Sequence, residues 1–406
     1  MKRDCEIGFR GIAYLENEWR KVTILSDGDK LDVRSYGDSC PCEICIEGDD
    51  LYLIPGAIDI HVHVRDWQLS YKETIESATR AALKGGIIAI ADMPNTQPEV
   101  NSEELVMKRI EDFTKRSYTD FAIYSGVPSN EEEVRRIAKL PILGFKVYPK
   151  DYPRAKALKN TNAFVIVHPE DPIYVKESPV PGDRDFTRNP YAEISAIELF
   201  KDFPRVHFTH VTLPESVDKL RKLGSTFDST PHHLLLSSTD ERIKGCLAKV
   251  NPPLRDYRKV RKLREAFRSN PWIVATDHAP HALWEKKLSF TECPPGIASL
   301  DISLPLIASK FSLEHAIKAY SELPAKLLGL WPKLGVIRKG AQASFTILRK
   351  ESSVVNCETF ESKAKFGPYC GFALKYTVYA TVIRGSLRYY YGSFMKKDVS
   401  NLPGYS

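Results

Sequence analysis

His61 and His63, two residues apart, close an apolar run that begins at Ile54. On a β-strand, residues i and i+2 face the same side, so both imidazoles address one site. A pair of neutral imidazoles suits a borderline-soft cation such as zinc. Alone, such a pair is a weak signal. Further along, His168 follows Phe164-Val165-Ile166-Val167, His210 follows Val206-His207-Phe208-Thr209, and Asp277 lies just beyond Trp272-Ile273-Val274-Ala275. A single histidine after an apolar run is more often a satisfied structural residue. Four histidines and an aspartate, each at the end of such a run, point to a metal centre. Lys146 stands inside another run, Gly144-Phe145-Lys146-Val147-Tyr148. Burial makes an ammonium costly and lowers its pKa. The free amine can add carbon dioxide to give a carbamate, an anionic oxygen ligand able to bridge two cations. A lysine snorkelling to the rim is the competing reading.

These runs belong to a larger pattern. From Leu53 onward, apolar strands alternate with amphipathic helices, the texture of a parallel α/β domain. Eight strands are expected, at Ile54–Val64, Ile87–Ala91, Asp120–Ser125, Leu143–Tyr148, Ala163–Val167, Arg205–Thr209, Ser225–Ser229 and Trp272–Ala275. Most are near-continuous apolar runs, as strands covered on both faces require. Leu213–Leu223 and Arg255–Arg268 are helical by period. Ser70 with Glu73 and Ser129 with Glu132 read as capping boxes, and Gly85-Gly86 as a helix end. Eight such units close a barrel whose catalytic groups lie at the C-terminal strand ends. Both ends of the chain have β texture instead, as at Lys21–Leu25, Cys42–Ile46, Ala343–Leu348, Tyr376–Arg384 and Leu387–Tyr391. The expected fold is α/β: a (β/α)8 TIM-type barrel over 54–337 with a small discontinuous β-sandwich domain from 1–53 and 338–406.

The 406 residues, 43% of them hydrophobic, leave room for one barrel and a small second domain. The net charge of +6 is dispersed, which indicates no nucleic-acid surface. No run of about 18 apolar residues predicts a membrane span. The polar start Met1-Lys2-Arg3-Asp4-Cys5 lacks an apolar signal segment, so the eight cysteines are expected as thiols of a reduced, cytoplasmic protein. Cys40, Cys42 and Cys45 read as strand residues rather than a metal site, because Cys42, Ile44 and Ile46 alternate.

In this order the residues resemble the amidohydrolase superfamily and, within it, the dihydroorotases, over nearly the whole chain. His61-Val62-His63-Val64-Arg65-Asp66 is similar to the family's H-x-H-x-R segment, and Asp92-Met93-Pro94-Asn95-Thr96 to its M-P-N-T turn. Asn251-Pro252-Pro253-Leu254-Arg255 and Thr276-Asp277-His278-Ala279-Pro280-His281 match two further stretches. Pro294-Pro295-Gly296, and Leu334-Gly335 with Gly340, add weaker likenesses. The resemblance implies two zinc ions per chain. His61, His63 and Asp277 would hold one, His168 and His210 the other, and carboxylated Lys146 with a hydroxide would bridge them. Relatives with a third zinc use a cysteine before the sixth-strand histidine; Thr209 stands there, so no third metal is expected. Asp277 would act as general base and then general acid. Arg65 would bind the substrate carboxylate, with Asn95, His281, Asn251, Pro295 and Gly296 completing the pocket. A structural ion pair of Arg65 with Asp66 or Glu73 is the alternative, and His232 and His233 are expected in structural or supporting roles.

The implied activity is the reversible zinc-dependent cyclisation of N-carbamoyl-L-aspartate to L-dihydroorotate in de novo pyrimidine biosynthesis. The implied partners are that small-molecule substrate and either a second copy of the chain or aspartate transcarbamoylase. The nearest alternative is a hydantoinase, dihydropyrimidinase or allantoinase-like hydrolase, which shares the metal ligands but not the set Arg65, Asn95 and His281. A non-catalytic scaffold is the other alternative; it is disfavoured because all six ligand positions hold suitable residues. The polar stretch Pro149–Lys156 is the candidate for a segment closing over substrate.

Overall fold

The computed structural model describes residues 5–402. Its strands, in chain order, are β1 (Ile7–Leu15), β2 (Glu18–Asp27), β3 (Lys30–Ser35), β4 (Ile44–Pro55), β5 (Ala57–Val62), β6 (Ile87–Asp92), β7 (Asp120–Ser125) and β8 (Gly144–Val147). They continue with β9 (Val165–Val167), β10 (Val206–Phe208), β11 (Thr226–Ser229), β12 (Ile273–Val274), β13 (Phe345–Val354), β14 (Ala373–Ile383), β15 (Ser386–Tyr390) and β16 (Ser393–Phe394). They form two eight-stranded sheets.

The sheet of β5 to β12 is parallel and follows chain order, so each strand pairs with the next across a helical crossover. Its two ends meet: Val62 bridges His278, and the His63 N–H donates to the His278 carbonyl at 2.8 Å. Asp59 secures the same seam, accepting from the Thr276 N–H at 3.1 Å. The barrel expected from the eight apolar runs is therefore present. Helices outside it bury Ile75, Ala78, Val106, Phe113, Val217, Leu220, Leu263 and Phe267 against the outer strand faces.

The other sheet draws on both ends of the chain, in the order β16-β15-β14-β13-β4-β1-β2-β3. Its strands join into one hydrogen-bonded surface, antiparallel except between β1 and β4. Ile7, Phe9, Leu53, Phe345, Ile347 and Val382 fill its core. The long run Ile54–Val64 is not one strand. Ile54 and Pro55 pair with Thr346 and Phe345 in this sheet, and the chain changes sheets at Gly56. A Cβ there would lie 2.5 Å from Ile88, so the close approach needs glycine.

Two helices matter for the site. The first, α1 (Ile75–Lys84), starts at Thr74, whose side chain and Ser77 form the capping box; Gly85 ends it. Ser70 and Glu73 do not cap it as expected, because the buried Glu73 carboxylate accepts from the Lys363 N–H and faces His278. The second, α2 (Glu103–Arg116), starts at Ser102 and turns Val106, Arg109 and Phe113 inward. Ser129 is likewise displaced as a cap: Asn130 caps the helix Glu131–Ile137.

The cysteines overturn the expectation of thiols. All eight are paired: Cys5–Cys42, Cys40–Cys45, Cys246–Cys293 and Cys357–Cys370. Their low frequency in a long chain misled the reading; partners 37 and 47 residues apart meet only through the tertiary fold. Among the described residues no helix is long and apolar enough to cross a membrane. Thiol titration of the unfolded protein should find no free thiol until a reductant is added, and then eight. Replacing both Cys246 and Cys293 with serine should cost about 2–4 kcal/mol in denaturant unfolding, since that bridge closes a long loop.

Candidate metal and substrate site

The C-terminal ends of the barrel strands surround a cavity of about 240 Å³ lined by His61, His63, Lys146, His168, His210 and Asp277. His61 ends β5 with His63 just beyond it, Lys146 is on β8, His168 follows β9, His210 lies two residues past β10, and Asp277 follows β12. All six metal-ligand positions expected from sequence are thus brought together. His210 (φ 43°) and Asp277 (φ 45°) have left-handed backbone, a conformation that non-glycine residues hold only where surrounding structure enforces it. For His210 the enforcing contact is Asp228, whose carboxylate accepts the His210 N–H at 2.7 Å.

The imidazoles are oriented by their outer nitrogens. His61 Nδ1 lies 2.6 Å from Thr209 Oγ1, and His63 Nδ1 lies 2.6 Å from Asn95 Oδ1. Both Nδ1–H groups donate outward, which leaves the Nε2 lone pairs facing each other at 3.3 Å. Asp277 Oδ1 is 3.3 Å from His61 Nε2 and 3.0 Å from His63 Nε2. Two nitrogens around one tetrahedral zinc, at bonds of about 2.0 Å, stand ~3.3 Å apart, so this donor set fits a cation. His61, His210 and Asp277 also offer ligand atoms within 4.8 Å of one another. His168 Nε2 donates to Glu170 at 2.8 Å, which frees Nδ1, and buried His210 Nδ1 has no partner. Burial holds His61 and His210 well below the usual histidine range, so they are neutral, as ligands must be.

Lys146 is fully buried, with Nζ 3.5 Å from His61 Nε2 and, among the described residues, no carboxylate paired with it. Burial brings its pKa down to about 7. Its amine is thus available to carbon dioxide at neutral pH.

The same cavity brings in five of the six expected substrate residues, whereas His281 is not part of its lining. Arg65, Asn95, Asn251, Pro295 and Gly296 all line the cavity. Buried Arg65 forms no ion pair with Asp66 or Glu73. Asp66 pairs with Arg116, Arg65 Nε has no partner, and Arg65 Nη2 reaches only His281, at 3.4 Å. His281 Nδ1 accepts from Lys72 at 3.1 Å, so Nε2 donates to the Pro295 carbonyl at 3.0 Å. The loop that ends in Pro295 and Gly296 is bolted from behind. Lys249 Nζ donates to the carbonyls of Phe290 and Cys293, Lys286 Nζ to those of Cys246 and Pro294, and Cys246 is bonded to Cys293. Pro149 lines the cavity as well, at the start of the stretch named as a closing segment.

Three site residues escaped the sequence reading. Tyr148 and Arg188 line the cavity, and Glu170 receives both His168 and a two-point contact from Arg188 at 2.7 and 3.1 Å. Glu170 lies two residues past His168, a spacing that could have flagged it; Arg188 lies in an irregular segment with no period. His233 is supporting, tied to Thr230 and the Pro252 carbonyl, whereas both nitrogens of buried His232 lack partners.

A family model described as dihydro-orotase-like matches residues 51–146. The dihydroorotase of Sulfolobus acidocaldarius is 36% identical over 94% of each chain, and that of Sulfurisphaera tokodaii is 39% identical over 94% of each. Among solved structures, L-hydantoinase (dihydropyrimidinase) from Arthrobacter aurescens superposes with a TM-score of 0.90 at 21% identity, covering 97% of this chain and 98% of its own. Dihydropyrimidinase from Brevibacillus agri gives 0.86 at 21%, covering 97% of each. These structures share the fold.

Glu170→Gln should keep the fold but weaken metal binding by about 10–100-fold, because it removes the charge that orients His168. Metal retained against a competing chelator measures this; unchanged affinity would show that Arg188, not His168, is what Glu170 serves.

Proposed function

Because the chain belongs to the dihydroorotase family of cyclic-amide hydrolases, we propose that it interconverts dihydroorotate and N-carbamoyl aspartate. The observation that carries this choice over uncharged rings is Arg65, a buried guanidinium at the cavity wall with no carboxylate of its own. A buried charge without a partner is costly, and a planar fork suits a carboxylate. Neutral rings of the hydantoin type would leave that charge unanswered.

His61, His63, His168, His210 and Asp277, with Lys146 as a carbamate, would hold a centre of two zinc ions. Such a centre supplies Lewis acidity and a more acidic water. The protein's own groups do the rest. Arg65, helped by Asn95 and His281, fixes the ring carboxylate. The Arg65 anchor turns the scissile amide carbonyl toward the ligand cluster. Asp277 Oδ1 faces His61 and His63, leaving Oδ2 to take a proton from the attacking water. As the ring C–N bond breaks, Asp277 returns that proton to the leaving nitrogen, and the carbonyl carbon becomes a carboxyl group that releases the second water proton to solvent as it ionises. Ring closure runs the same steps backwards. Tyr148, kept neutral by burial, and Pro149 form the wall that excludes bulk water.

The deciding assay is hydrolysis of dihydroorotate against hydantoin and dihydrouracil, with zinc and bicarbonate supplied. Turnover of dihydroorotate alone is expected; turnover of only the neutral rings would overturn the substrate. Arg65→Met should lower kcat/KM for dihydroorotate by roughly 100-fold or more with normal metal content, about the 3 kcal/mol expected of a charge-assisted contact.

Lys146→Ala should lose metal and nearly all activity, with partial rescue by short carboxylic acids. Lys146 also sets a pH dependence. Its pKa is lowered to about 7, so the amine is free above that value and protonated below it. Carbon dioxide adds only to the amine, releasing one proton. Zinc uptake by the metal-free protein in bicarbonate should therefore fall as pH drops below about 7; uptake independent of pH and bicarbonate would count against a carbamate.

A further inference from the structure

We propose that α2 is a clamp on the loop that carries Arg65, and that Arg109 is the positioning residue that sets where the Arg65 guanidinium stands. This rests on the carboxylate-binding reading of Arg65.

The loop needs an external hold. Arg65, Asp66 and Trp67 have φ of 64°, 63° and 46°, three consecutive non-glycine residues in left-handed backbone. The Arg65 guanidinium is not pinned by its own contacts, since Nε has no partner and Nη2 only approaches a neutral histidine. Its position is therefore inherited from the backbone beneath it.

Helix α2 supplies the hold from one face, through Arg109, Asp112 and Arg116 at i, i+3 and i+7. Each contacts the loop in sequence. Arg109 Nη2 donates to the Arg65 carbonyl at 3.3 Å. Arg116 Nη1 donates to Asp66 at 2.7 Å. Asp112 accepts from the Trp67 indole at 2.8 Å. Arg109 is the centre of the device. It is fully buried between the rings of Trp67 and Phe113, 5.1 and 5.0 Å from their centroids. Asp92 holds its Nε at 2.9 Å and, through its other oxygen, the Val64 N–H at 3.0 Å. One carboxylate thus ties the end of β5 to the guanidinium that takes the next carbonyl. Arg116 extends the hold to α1 through Glu76 at 2.7 Å.

The test uses the zinc-loaded enzyme, with orotate as a carboxylate-bearing ring that binds without turning over. Arg109→Lys keeps the charge but loses the fork. It should raise KM for dihydroorotate and Kd for orotate by roughly ten-fold or more, with kcat and metal content near wild type. Asp112→Asn with Arg116→Gln, at the outer edge of the clamp, should give a smaller shift of the same kind and guards against misfolding of the buried variant. In the Arg65→Met background, Arg109→Lys should weaken orotate no further, because the two act as one unit. Wild-type orotate affinity in the folded variants, additive losses, or a fall in metal content with KM intact would overturn the clamp. Failure of the wild type itself to bind orotate would remove the carboxylate reading before any variant is compared.

Discussion

Three buried carboxylates hold the strand ends on which the site stands. Asp59 on β5 accepts from the His61 and Thr276 N–H groups, Asp92 on β6 from Val64, and Asp228 on β11 from His210. At the rim of a parallel barrel the backbone N–H groups lose their ladder partners, and a buried orphan costs about 1–3 kcal/mol. A buried carboxylate is equally costly alone. For Asp92 and Asp228 each need answers the other, and the trade fixes how the residues after β5 and β10 turn. His210 can then hold a left-handed backbone, and the first strand can close on the eighth.

With the backbone fixed, each candidate ligand has one nitrogen to spend. His61, His63 and His168 give theirs to Thr209, Asn95 and Glu170, so the other faces inward. Second partners of this kind set tautomer and ring direction before any ion arrives. Asn95 therefore has two duties, since the oxygen that steadies His63 belongs to an amide that also lines the substrate wall. This coupling explains why a turn that looks like a substrate motif is placed against a metal ligand.

The barrel was legible because its signal repeats: eight apolar runs, several of them ending in a histidine, lysine or aspartate. Lys146 was legible by cost alone, as a charge inside an apolar strand. The same cost argument applies to Asp59 in Ile58-Asp59-Ile60 and to Asp228 after Phe227, and it would have found the carboxylates beneath the site. What periodicity does not carry is contact between distant segments. Arg188, the Cys246–Cys293 bridge and the strand break at Gly56 all depend on which segments the fold brings together. The capping boxes at Ser70 and Ser129 failed for a local version of the same reason, since a tertiary partner claimed Glu73 and a better-placed Asn130 took the cap.

The two walls of the cavity are consequently built by different physics. The wall of candidate ligands rises from the barrel strands, whose positions are set by a closed ladder and by the three buried acids at its rim. The substrate wall rises from loops, which must be bolted from outside: Arg109, Asp112 and Arg116 behind Arg65, and Lys249, Lys286 and a disulfide behind Pro295 and Gly296. Both buried lysines donate to backbone carbonyls, and burial brings the pKa of Lys286 down to about 7. Arg65 is the cation of this wall that lines the cavity itself. On the proposed reading, an acidic ring would be held at that wall by its carboxylate, with its amide toward the candidate ligand cluster. The barrel is shared with a hydantoinase at a TM-score of 0.90, and in such a fold it is the loops at the strand ends that can vary without disturbing the ladder.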